Sequence, residues 1–492
     1  MSLKVELGDF QTPYEWAKDL TRLLLKKEKI PEIIVEPTCG VGAFVQAAAT
    51  LCPAAKVFGY DINSEYVEIA KEKLADKSNV TILCEDFFSG EFNSQLSTEF
   101  NHILFLGNPP WVTNSKLGSL GSSNLPEKKN SESLRGIEAI TGKSNFDISE
   151  WMICRMLDCI QSRSGTVAMI CKSSVARKTL SYAVNKKLNF SSAKFFPLNA
   201  KQVFNVSVDC GFFVFNSYDE TAYDVEVLDL DFKHLGKYGS RNGRLVSDVF
   251  SYDQWSFLDG VNLEKWRSGI KHDCSSVFEF IKQDNVLLNG KGEAVEIEQD
   301  FLFPFLKSSD LANGRTERGD RFVLVTQEYI GQETHSIEKK APKTWAYLNQ
   351  HKNLLDSRKS SIYRNKPDFS IFGVGSYSFT PWKIAISGLY KSLNFVKLGP
   401  QDGRPVMVDD TCYFLSCESE EKANLVFDLL KSDQAKLFLS SIIFWDSKRP
   451  VSVDILQRLK LDSIPNEIAE QYRAEVFSGH KQGQLFLDGA SL

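Results

Sequence analysis

Apolar and polar residues follow two different periods along the first part of this chain. Between residues 13 and 27 apolar side chains recur three and four positions apart, which predicts an amphipathic helix with Pro13 in its first turn. Short apolar runs then alternate with further stretches of helical period. The predicted strands are 33–35, 56–60, 80–84, 103–106, 166–171, 193–196 and 211–215, and the predicted later helices are 42–49, 65–74 and 147–161. This alternation predicts an α/β fold with a doubly wound, mostly parallel sheet.

The pattern changes twice further along the chain. Residues 113–145 lose all periodicity and are rich in Ser, Gly, Asn and Lys, which predicts a mobile loop. Residues 233–247 hold three glycines and predict a linker. The segments beyond it are aromatic-rich and show no alternation of strand and helix. We therefore predict one domain over residues 1–240 and a second over residues 245–492.

Composition narrows the class of protein. The net charge of −5 argues against nucleic-acid affinity over the whole surface, but it leaves a basic face within one domain open. The ten cysteines form no CxxC pair, and the six histidines show no ligand spacing, so no metal site is expected. The N-terminus lacks the apolar core of a signal peptide, and no apolar run reaches the roughly 18 residues of a membrane span. We expect a cytoplasmic protein with reduced cysteines.

A stiff polar turn follows the fourth predicted strand. The apolar run 103–107 is succeeded by Asn108, Pro109, Pro110 and Trp111. The two prolines must end the strand, because they fix φ and donate no hydrogen bond. The turn then offers an amide, a backbone carbonyl and an indole, which together can hold a flat ring that bears an amino group. A plain loop with a turn-forming asparagine is the alternative.

A glycine turn follows the first predicted strand. Gly40 and Gly42 allow the backbone to approach a ligand closely at the start of the next helix. The pattern is not the dinucleotide GxGxxG, since the third glycine is absent. Glu36 adds a carboxylate that repels phosphate and suits a cation, such as an amino acid with a sulfonium group. A tight strand–helix turn without any ligand is the alternative.

Acidic residues also stand at the ends of the second and third predicted strands. Asp61 is placed to accept both hydroxyls of a ribose, or alternatively to cap the helix that begins near Ser64. Asp86 can accept a hydrogen bond from an exocyclic amine and Phe87 can flank an adenine ring; a solvated strand end is the alternative. Together with the two turns, these residues predict a cleft that holds adenosine linked to a charged amino acid.

These motifs resemble those of the amino-group DNA methyltransferases that use S-adenosylmethionine. The resemblance runs from residue 8 to about residue 215 and is closest to the adenine-N6 enzymes of gamma-type motif order, in which a target-recognition domain comes last. It implies a Rossmann-like class I methyltransferase domain followed by an α+β recognition domain. The catalytic motif of this family matches Asn108, Pro109, Pro110 and Trp111. The cofactor contacts that the resemblance implies are Thr12, Pro13, Glu36, Thr38, Cys39, Gly40, Gly42, Asp61, Ile62, Asp86, Phe87 and Asn108.

The resemblance also implies contacts to a flipped-out target base. Trp111 stands where tyrosine is frequent in the family and would stack on that base, which a duplex releases at a cost of a few kcal/mol. Phe204 resembles the family's second aromatic residue, with an ordinary core position as the alternative. The Asn108 side-chain oxygen and the Pro109 carbonyl would accept the two protons of the amine.

A basic stretch lies in the second predicted domain. Residues 352–366 hold five lysines and arginines against one acid, with an interleaved tyrosine. Such a stretch can follow a phosphate backbone, and Arg358 and Lys359 are its predicted substrate contacts. A solvated charge run is the alternative. The region loosely resembles the specificity domains of DNA methyltransferases.

The predicted function is site-specific methylation of adenine N6 in double-stranded DNA, as the modification enzyme of a restriction-modification system. The same turn also serves cytosine-N4, RNA-base and protein-glutamine methyltransferases, and a non-catalytic specificity subunit is an alternative of another class. We expect a monomer with no membrane partner. A cognate restriction endonuclease that acts separately is a further candidate partner.

Overall fold

A computed structural model describes residues 10–26, 30–86, 102–112, 147–161, 164–217, 223–465 and 467–474. The chain divides into two compact units, Met1–Val249 and Phe250–Leu492. The predicted mobile loop 113–145 and the predicted adenine contact Phe87 lie outside the described residues. Among the described residues, no helix combines the length and the apolar character needed to cross a membrane.

The first unit is built on one large sheet with helices between its strands. Its strands are β1 (Ile33–Glu36), β2 (Lys56–Asp61), β3 (Val80–Cys84), β4 (His102–Gly107), β5 (Ser164–Lys172), β6 (Ser192–Asn199), β7 (Asp209–Ser217), β8 (Asp224–Leu228), β9 (His234–Arg241) and β10 (Arg244–Val246). Its helices are α1 (Tyr14–Leu25), α2 (Ala43–Leu51), α3 (Ser64–Lys73), α4 (Ile148–Ile160), α5 (Ser173–Lys186) and α6 (Ala200–Phe204).

The strand order places the functional turns side by side. The sheet runs β10-β9-β8-β6-β7-β5-β4-β1-β2-β3, with β3, β2, β1, β4 and β5 parallel to one another and β7 antiparallel to its neighbours β5 and β6. The predicted α/β class with a mostly parallel sheet is confirmed. Because the carboxyl ends of parallel neighbours meet at one edge, the turns after β1 and β4 are adjacent there.

The apolar pattern explains why these elements form. Every residue of β4 is buried, as expected for a central parallel strand with helices on both faces. Helix α1 buries Ala17, Leu20 and Leu24, which lie three and four positions apart. Full burial of one such leucine stabilises the fold by roughly 1.5–3 kcal/mol. The core of the first unit therefore fixes the sheet edge from which the polar turns project.

The predicted linker over residues 233–247 is wrong. These residues form β9 and β10, an antiparallel hairpin that extends the sheet of the first unit. Asn242 and Gly243 connect the two strands, with φ angles of 52° and 73°. A two-residue connection with both φ angles positive is the turn that matches the twist of a hairpin. The glycines here belong to regular structure.

The second unit combines two smaller sheets with short helices, as predicted for an α+β arrangement. Its strands are β11 (Arg267–Ser268), β12 (Glu279–Gln283), β13 (Val286–Asn289), β14 (Ala294–Val295), β15 (Leu302–Leu306), β16 (Arg321–Leu324), β17 (Trp382–Ser387), β18 (Val396–Leu398), β19 (Met407–Val408) and β20 (Cys412–Cys417). Its helices are α7 (Val249–Trp255), α8 (Ser275–Phe278), α9 (Ser308–Ala312), α10 (Ser336–Lys340), α11 (Pro342–Gln350), α12 (Lys352–Asp356), α13 (Glu420–Lys431), α14 (Asp433–Ile442) and α15 (Val453–Leu456).

The sheets of the second unit are largely antiparallel. One has the order β14-β13-β12-β16-β15-β19 and the other the order β11-β20-β17-β18. β15 and β19 form a parallel pair, whereas the other pairs in these two sheets are antiparallel. Short strands and short helices of this kind leave much of the chain in connecting loops, which can carry contacts to a partner.

Candidate active site

The turn Asn108–Trp111 leaves the sheet beside the end of β1. A Cβ atom built on Gly107 would lie 3.2 Å from Cγ of Glu36, so the ends of β4 and β1 are in close contact. Pro109 is buried and Pro110 is half-buried. The topology thus brings the predicted catalytic turn and the predicted carboxylate together.

The side-chain amide of Asn108 has a defined orientation. Its Nδ2 donates to the Phe10 carbonyl at 2.8 Å and to Oγ1 of Thr12 at 3.3 Å. A carbonyl oxygen can only accept, so the NH₂ group must face Phe10. Oδ1 is buried and has no hydrogen-bond partner among the described residues. An unpaired buried acceptor is costly, which marks Oδ1 as an atom that a ligand donor would satisfy.

Three aromatic rings meet at the turn and form what we call the aromatic cluster: Phe10, Trp111 and Phe204. The Trp111 ring centroid lies 5.1 Å from that of Phe204, edge-on, and 5.5 Å from that of Phe10. The Phe10 and Phe204 centroids are 6.1 Å apart. Trp111 is 6% exposed, and its Nε1 has no partner among the described residues. Both predicted base-stacking residues therefore lie at the same place as Asn108.

The glycine turn is covered by the segment that precedes α1. Gly40 and Gly42 have φ angles of 51° and 81°, in the left-handed region that favours glycine. A Cβ atom on Gly40 would collide with the side-chain amide of Gln11. The Val41 N–H donates to Oε1 of Gln11 at 3.3 Å. Gly42 is the N-cap residue of α2, so this turn ends at a helix N-terminus, as predicted.

Glu36 is a buried carboxyl group at the end of β1. Oε2 accepts a hydrogen bond from the Val45 N–H at 3.0 Å. Burial raises its pKa well above the usual value, the bond from Val45 opposes that shift, and the charge of Asp61 adds to it. A positively charged ligand would offset the cost of ionising this group. Glu36 is therefore suited to a cation rather than to phosphate.

Asp61 joins the end of β2 to the glycine turn. Oδ2 accepts from the Gly40 N–H at 2.8 Å, and Oδ1 accepts from the Asn63 N–H at 2.9 Å. The N-cap of α3 is Asn63, whose side chain accepts from the backbone N–H groups of residues 65 and 66. The alternative assignment of Asp61 as the helix cap is therefore not what the structure shows.

The other predicted cofactor contacts surround these groups. Thr12 and Cys39 are buried, and burial raises the pKa of the Cys39 thiol far above its usual value. Oγ1 of Thr38 is buried without a partner among the described residues. Three further predicted contacts, Pro13, Ile62 and Asp86, take different positions: Pro13 caps α1, Ile62 is exposed, and Asp86 is half-buried just after β3.

An ion pair that the sequence did not suggest contacts the predicted catalytic turn. Lys172, the last residue of β5, places Nζ 2.6 Å from Oδ2 of Asp147 and donates to the Trp111 carbonyl at 3.5 Å. Asp147 caps α4 by accepting from the Ser149 N–H at 3.2 Å. The Ile148 N–H donates to the carbonyl of the residue after Trp111, at 2.9 Å. Of these contacts, only the capping of α4 by Asp147 depends on neighbouring residues in the sequence. The contacts of Lys172 join residues that are far apart in the chain.

The two predicted phosphate contacts of the second unit differ in setting. Arg358 is half-buried and donates to the carbonyls of Leu355, His272 and Ser370 at 2.8–3.2 Å. Its guanidinium lies 3.7 Å from the ring centroid of Tyr363, and burial lowers its pKa. Lys359 is exposed. Arg358 therefore ties segments of the second unit together, whereas Lys359 remains open to a partner.

The residues at the sheet edge fit S-adenosylmethionine. Glu36 and Asp61 bring two carboxylates to this edge, the turn between them contains two glycines with positive φ, and Oγ1 of Thr38 has no partner in the part of the chain that the structure describes. A sulfonium-bearing amino acid and a ribose are chemically compatible with these groups. Within the described ranges, no group of three or more His, Cys, Asp or Glu side chains could hold a metal ion.

The sequence and the fold both have relatives among known proteins. Residues 34–118 match the family described as a methyltransferase domain. The chain is 45% identical over 472 residues to the type II methyltransferase M.NspV from a Nostoc species, across 94% of this chain and 98% of that protein. The structure resembles the type IIL restriction-modification enzyme MmeI, solved in complex with DNA, with a TM-score of 0.54 and 15% identity across 90% of this chain and 64% of that one. At that identity the likeness to MmeI is one of fold.

Proposed function

Because the chain belongs to the type II methyltransferase family and its methyl donor is S-adenosylmethionine, we propose that it methylates adenine N6 at a specific site in double-stranded DNA. The observation that carries the proposal is Oδ1 of Asn108, a buried acceptor held beside the aromatic cluster without a partner among the described residues. An acceptor next to ring faces suits a planar amine.

The chain's residues would act by positioning and electrostatics. S-adenosylmethionine supplies a methyl group that its sulfonium already activates. Oδ1 of Asn108 and the Pro109 carbonyl would accept hydrogen bonds from the two N6–H groups, which directs the nitrogen lone pair away from the ring plane. When the N–CH₃ bond forms and the S–CH₃ bond breaks, the methylated nitrogen loses one proton to water. The hydrogen bonds to Phe10 and Thr12 hold the amide ready for this task, so no reorganisation is needed as charge develops.

Methylation sequencing tests the proposal. DNA from a host that expresses this chain should carry N6-methyladenine within one short sequence motif, as read by single-molecule sequencing. N4-methylcytosine would replace the adenine assignment by the cytosine alternative. Unmodified DNA, with methyl transfer to RNA or to a protein glutamine instead, would overturn it.

We propose that the second unit, Phe250–Leu492, is the target-recognition domain predicted over residues 245–492, and that the first unit is the catalytic domain predicted over residues 1–240. The fold shared with DNA-bound MmeI across most of the chain supports this assignment. Lys359 is the proposed phosphate contact, and Arg358 acts indirectly by holding the backbone near it. We further propose that the enzyme works as a monomer alongside a separate restriction endonuclease.

The affinity for S-adenosylmethionine should rise with pH. Burial raises the pKa of Glu36 in the free protein, so the carboxyl group is protonated below that pKa and cannot offset a ligand's positive charge. Below and near the raised pKa, binding to the ionised form releases a proton; above it the carboxyl group is already ionised, so the affinity is higher and the release disappears. Titration calorimetry in buffers of different ionisation enthalpy measures both effects. Glu36→Gln should abolish the proton release; release of the same size in that variant would contradict the assignment.

Replacing Trp111 by alanine should weaken capture of the target base. Stacking on an aromatic ring contributes on the order of 1–3 kcal/mol per base, which offsets part of the cost of flipping. The fluorescence of 2-aminopurine at the target position should therefore change less on complex formation than with the parent enzyme. Trp111→Phe keeps a ring and serves as the control. An identical signal from the alanine and phenylalanine variants would argue against stacking.

A further inference from the structure

A polar concavity of about 600 Å³ lies in the second unit. We call its lining the arginine loop; it consists of Gly314, Arg315, Thr316, Glu317, Arg318 and Asp320. The loop connects α9 to β16. Its lining places arginine donors and carboxylate acceptors around one open space.

A buried carboxylate organises the arginines. Asp310, in α9, is 0% exposed. Its Oδ2 lies 2.6 Å from Nη1 of Arg321, and its Oδ1 lies 3.5 Å from nitrogens of both Arg315 and Arg318. A charge so fully removed from water is retained only when it is paired, and here Arg321 supplies a hydrogen bond while Arg315 and Arg318 lie at ion-pair distance from Oδ1.

The backbone of the arginine loop is also fixed. The Arg315 N–H donates to the Asp310 carbonyl at 2.9 Å, and Gly314 takes a φ of 67° to allow the turn. Nε2 of Gln401 donates to the Thr316 carbonyl at 2.7 Å. The loop is therefore anchored at two points, and its side chains project from a defined frame. Preorganisation of this kind lowers the entropy cost of binding.

The side chains of the arginine loop differ in how many hydrogen bonds and ion pairs they form within the protein. Arg318 forms a fork with Asp320 through Nε at 2.7 Å and Nη2 at 3.1 Å. The Arg315 side chain is 56% exposed and touches Asp310 through Nη2 alone. Glu317 is exposed. Arg315 and Glu317 are therefore the donor and the acceptor that the loop leaves available to a ligand.

The charges of the arginine loop indicate the kind of ligand. Arg315 and Arg318 are balanced within the lining by Glu317 and Asp320. A track for phosphates needs an excess of cations, because carboxylates repel the backbone. Base edges in the major groove instead present donors and acceptors together: arginine pairs with O6 and N7 of guanine, and a carboxylate accepts from N4 of cytosine. The mixed lining suits a G·C base pair.

We propose that the arginine loop reads one G·C pair of the recognition sequence, with Arg315 donating to guanine and Glu317 accepting from cytosine. Asp310 holds Arg315 at ion-pair distance, and Glu317 extends from the same anchored backbone, next to the Thr316 carbonyl that Gln401 binds. This inference rests on the proposed activity towards DNA and extends it by naming a base pair and the residues that read it. It predicts that the methylated motif contains at least one G·C pair.

The test compares the parent enzyme with Arg315→Ala and Glu317→Ala. Replacing the G·C pair that the loop reads by A·T should lower kcat/KM of the parent enzyme roughly 5- to 150-fold. Both variants should lose most of the preference for G·C at that one position of the motif. Their base preferences at all other positions should match those of the parent enzyme. Lys339→Ala, at an exposed lysine of α10 outside the loop, should leave every position unchanged. Thermal melting confirms that each variant is folded.

Each other outcome counts against the inference. A motif without any G·C pair, or variants that keep all preferences, would overturn it. Uniform weakening on all sequences, with a salt slope reduced by about one, would identify a phosphate contact instead. If Arg315→Ala does not fold, the exposed Glu317 still decides the matter. If the parent enzyme methylates no DNA, the proposed function is refuted. If the variants methylate DNA with unchanged base preferences, only the role of the arginine loop is refuted.

Discussion

Asn108→Ala should lower kcat for methyl transfer about 100- to 1,000-fold, which is the usual cost of losing one preorganised acceptor at developing charge. The affinity for S-adenosylmethionine should stay within a few-fold of the parent value, because the carboxylates proposed to bind the cofactor, Glu36 and Asp61, are the last residues of two other strands. The loss should appear in single-turnover experiments at saturating DNA and cofactor. Such experiments measure the chemical step without product release.

Asn108→Ala removes Oδ1, and it also removes the hydrogen bonds from Nδ2 to Phe10 and Thr12. A control must separate the loss of the acceptor from the loss of these two bonds. Thr12→Val removes the weaker of the two acceptors around Nδ2, at 3.3 Å, but leaves Oδ1 in place. Its turnover should fall by less than about tenfold, since the bond to the Phe10 carbonyl persists. Near-normal methylation by Asn108→Ala, or equal losses in both variants, would exclude Oδ1 as the acceptor of the amine protons.

The positions of Glu36, Asp61 and the Asn108 turn could be predicted because they depend on local patterns. Each follows an apolar run long enough to form a strand, and strands separated by helices become parallel neighbours. The carboxyl ends of such strands share one edge of the sheet. Residues that are distant in sequence can therefore be predicted to lie close together there, even when the side-chain packing is unknown.

The orientation of the Asn108 amide could not be predicted, because it depends on a carbonyl ninety-eight positions earlier in the chain. The hydrogen bonds of Arg358 to backbone carbonyls could not be predicted for a similar reason. A run of lysines and arginines looks uniform in sequence, yet this guanidinium bonds to the carbonyl of His272, from a distant segment. Whether a cation faces solvent or backbone is decided by tertiary packing.

The hairpin of β9 and β10 shows a different kind of error. The signal was local, since Asn242 and Gly243 form a favoured two-residue turn. Several glycines within a few positions nevertheless suggested a flexible segment. Pairing of β9 with β8 supplies the long-range contacts that order this stretch, and composition alone does not reveal such pairing.

Lys172→Met should lower the free energy of unfolding by about 3 kcal/mol, because it leaves the Asp147 carboxylate without its cation. The side chains of Lys172 and Asp147 are 24% and 8% exposed, so water screens this pair little. The variant also removes the donor to the Trp111 carbonyl. The turn that carries Asn108 then loses a support, and we expect kcat to fall roughly tenfold or more, as misplacement of a catalytic group commonly does.

The chain offers a matched control for this effect, since a second lysine pairs with a carboxylate in the first turn of the same helix, α4. Lys178 pairs with Glu150 at 2.8 Å, but its side chain is 54% exposed, so Lys178→Met should change stability by less than about 1 kcal/mol. Urea unfolding of both variants, with kcat and KM measured at saturating cofactor, compares a screened pair with a buried one. Equal losses of stability in the two variants would mean that water screens the Lys172–Asp147 pair as strongly as the Lys178–Glu150 pair. A stability loss without any fall in kcat would show that Lys172 supports the fold but does not position the catalytic turn.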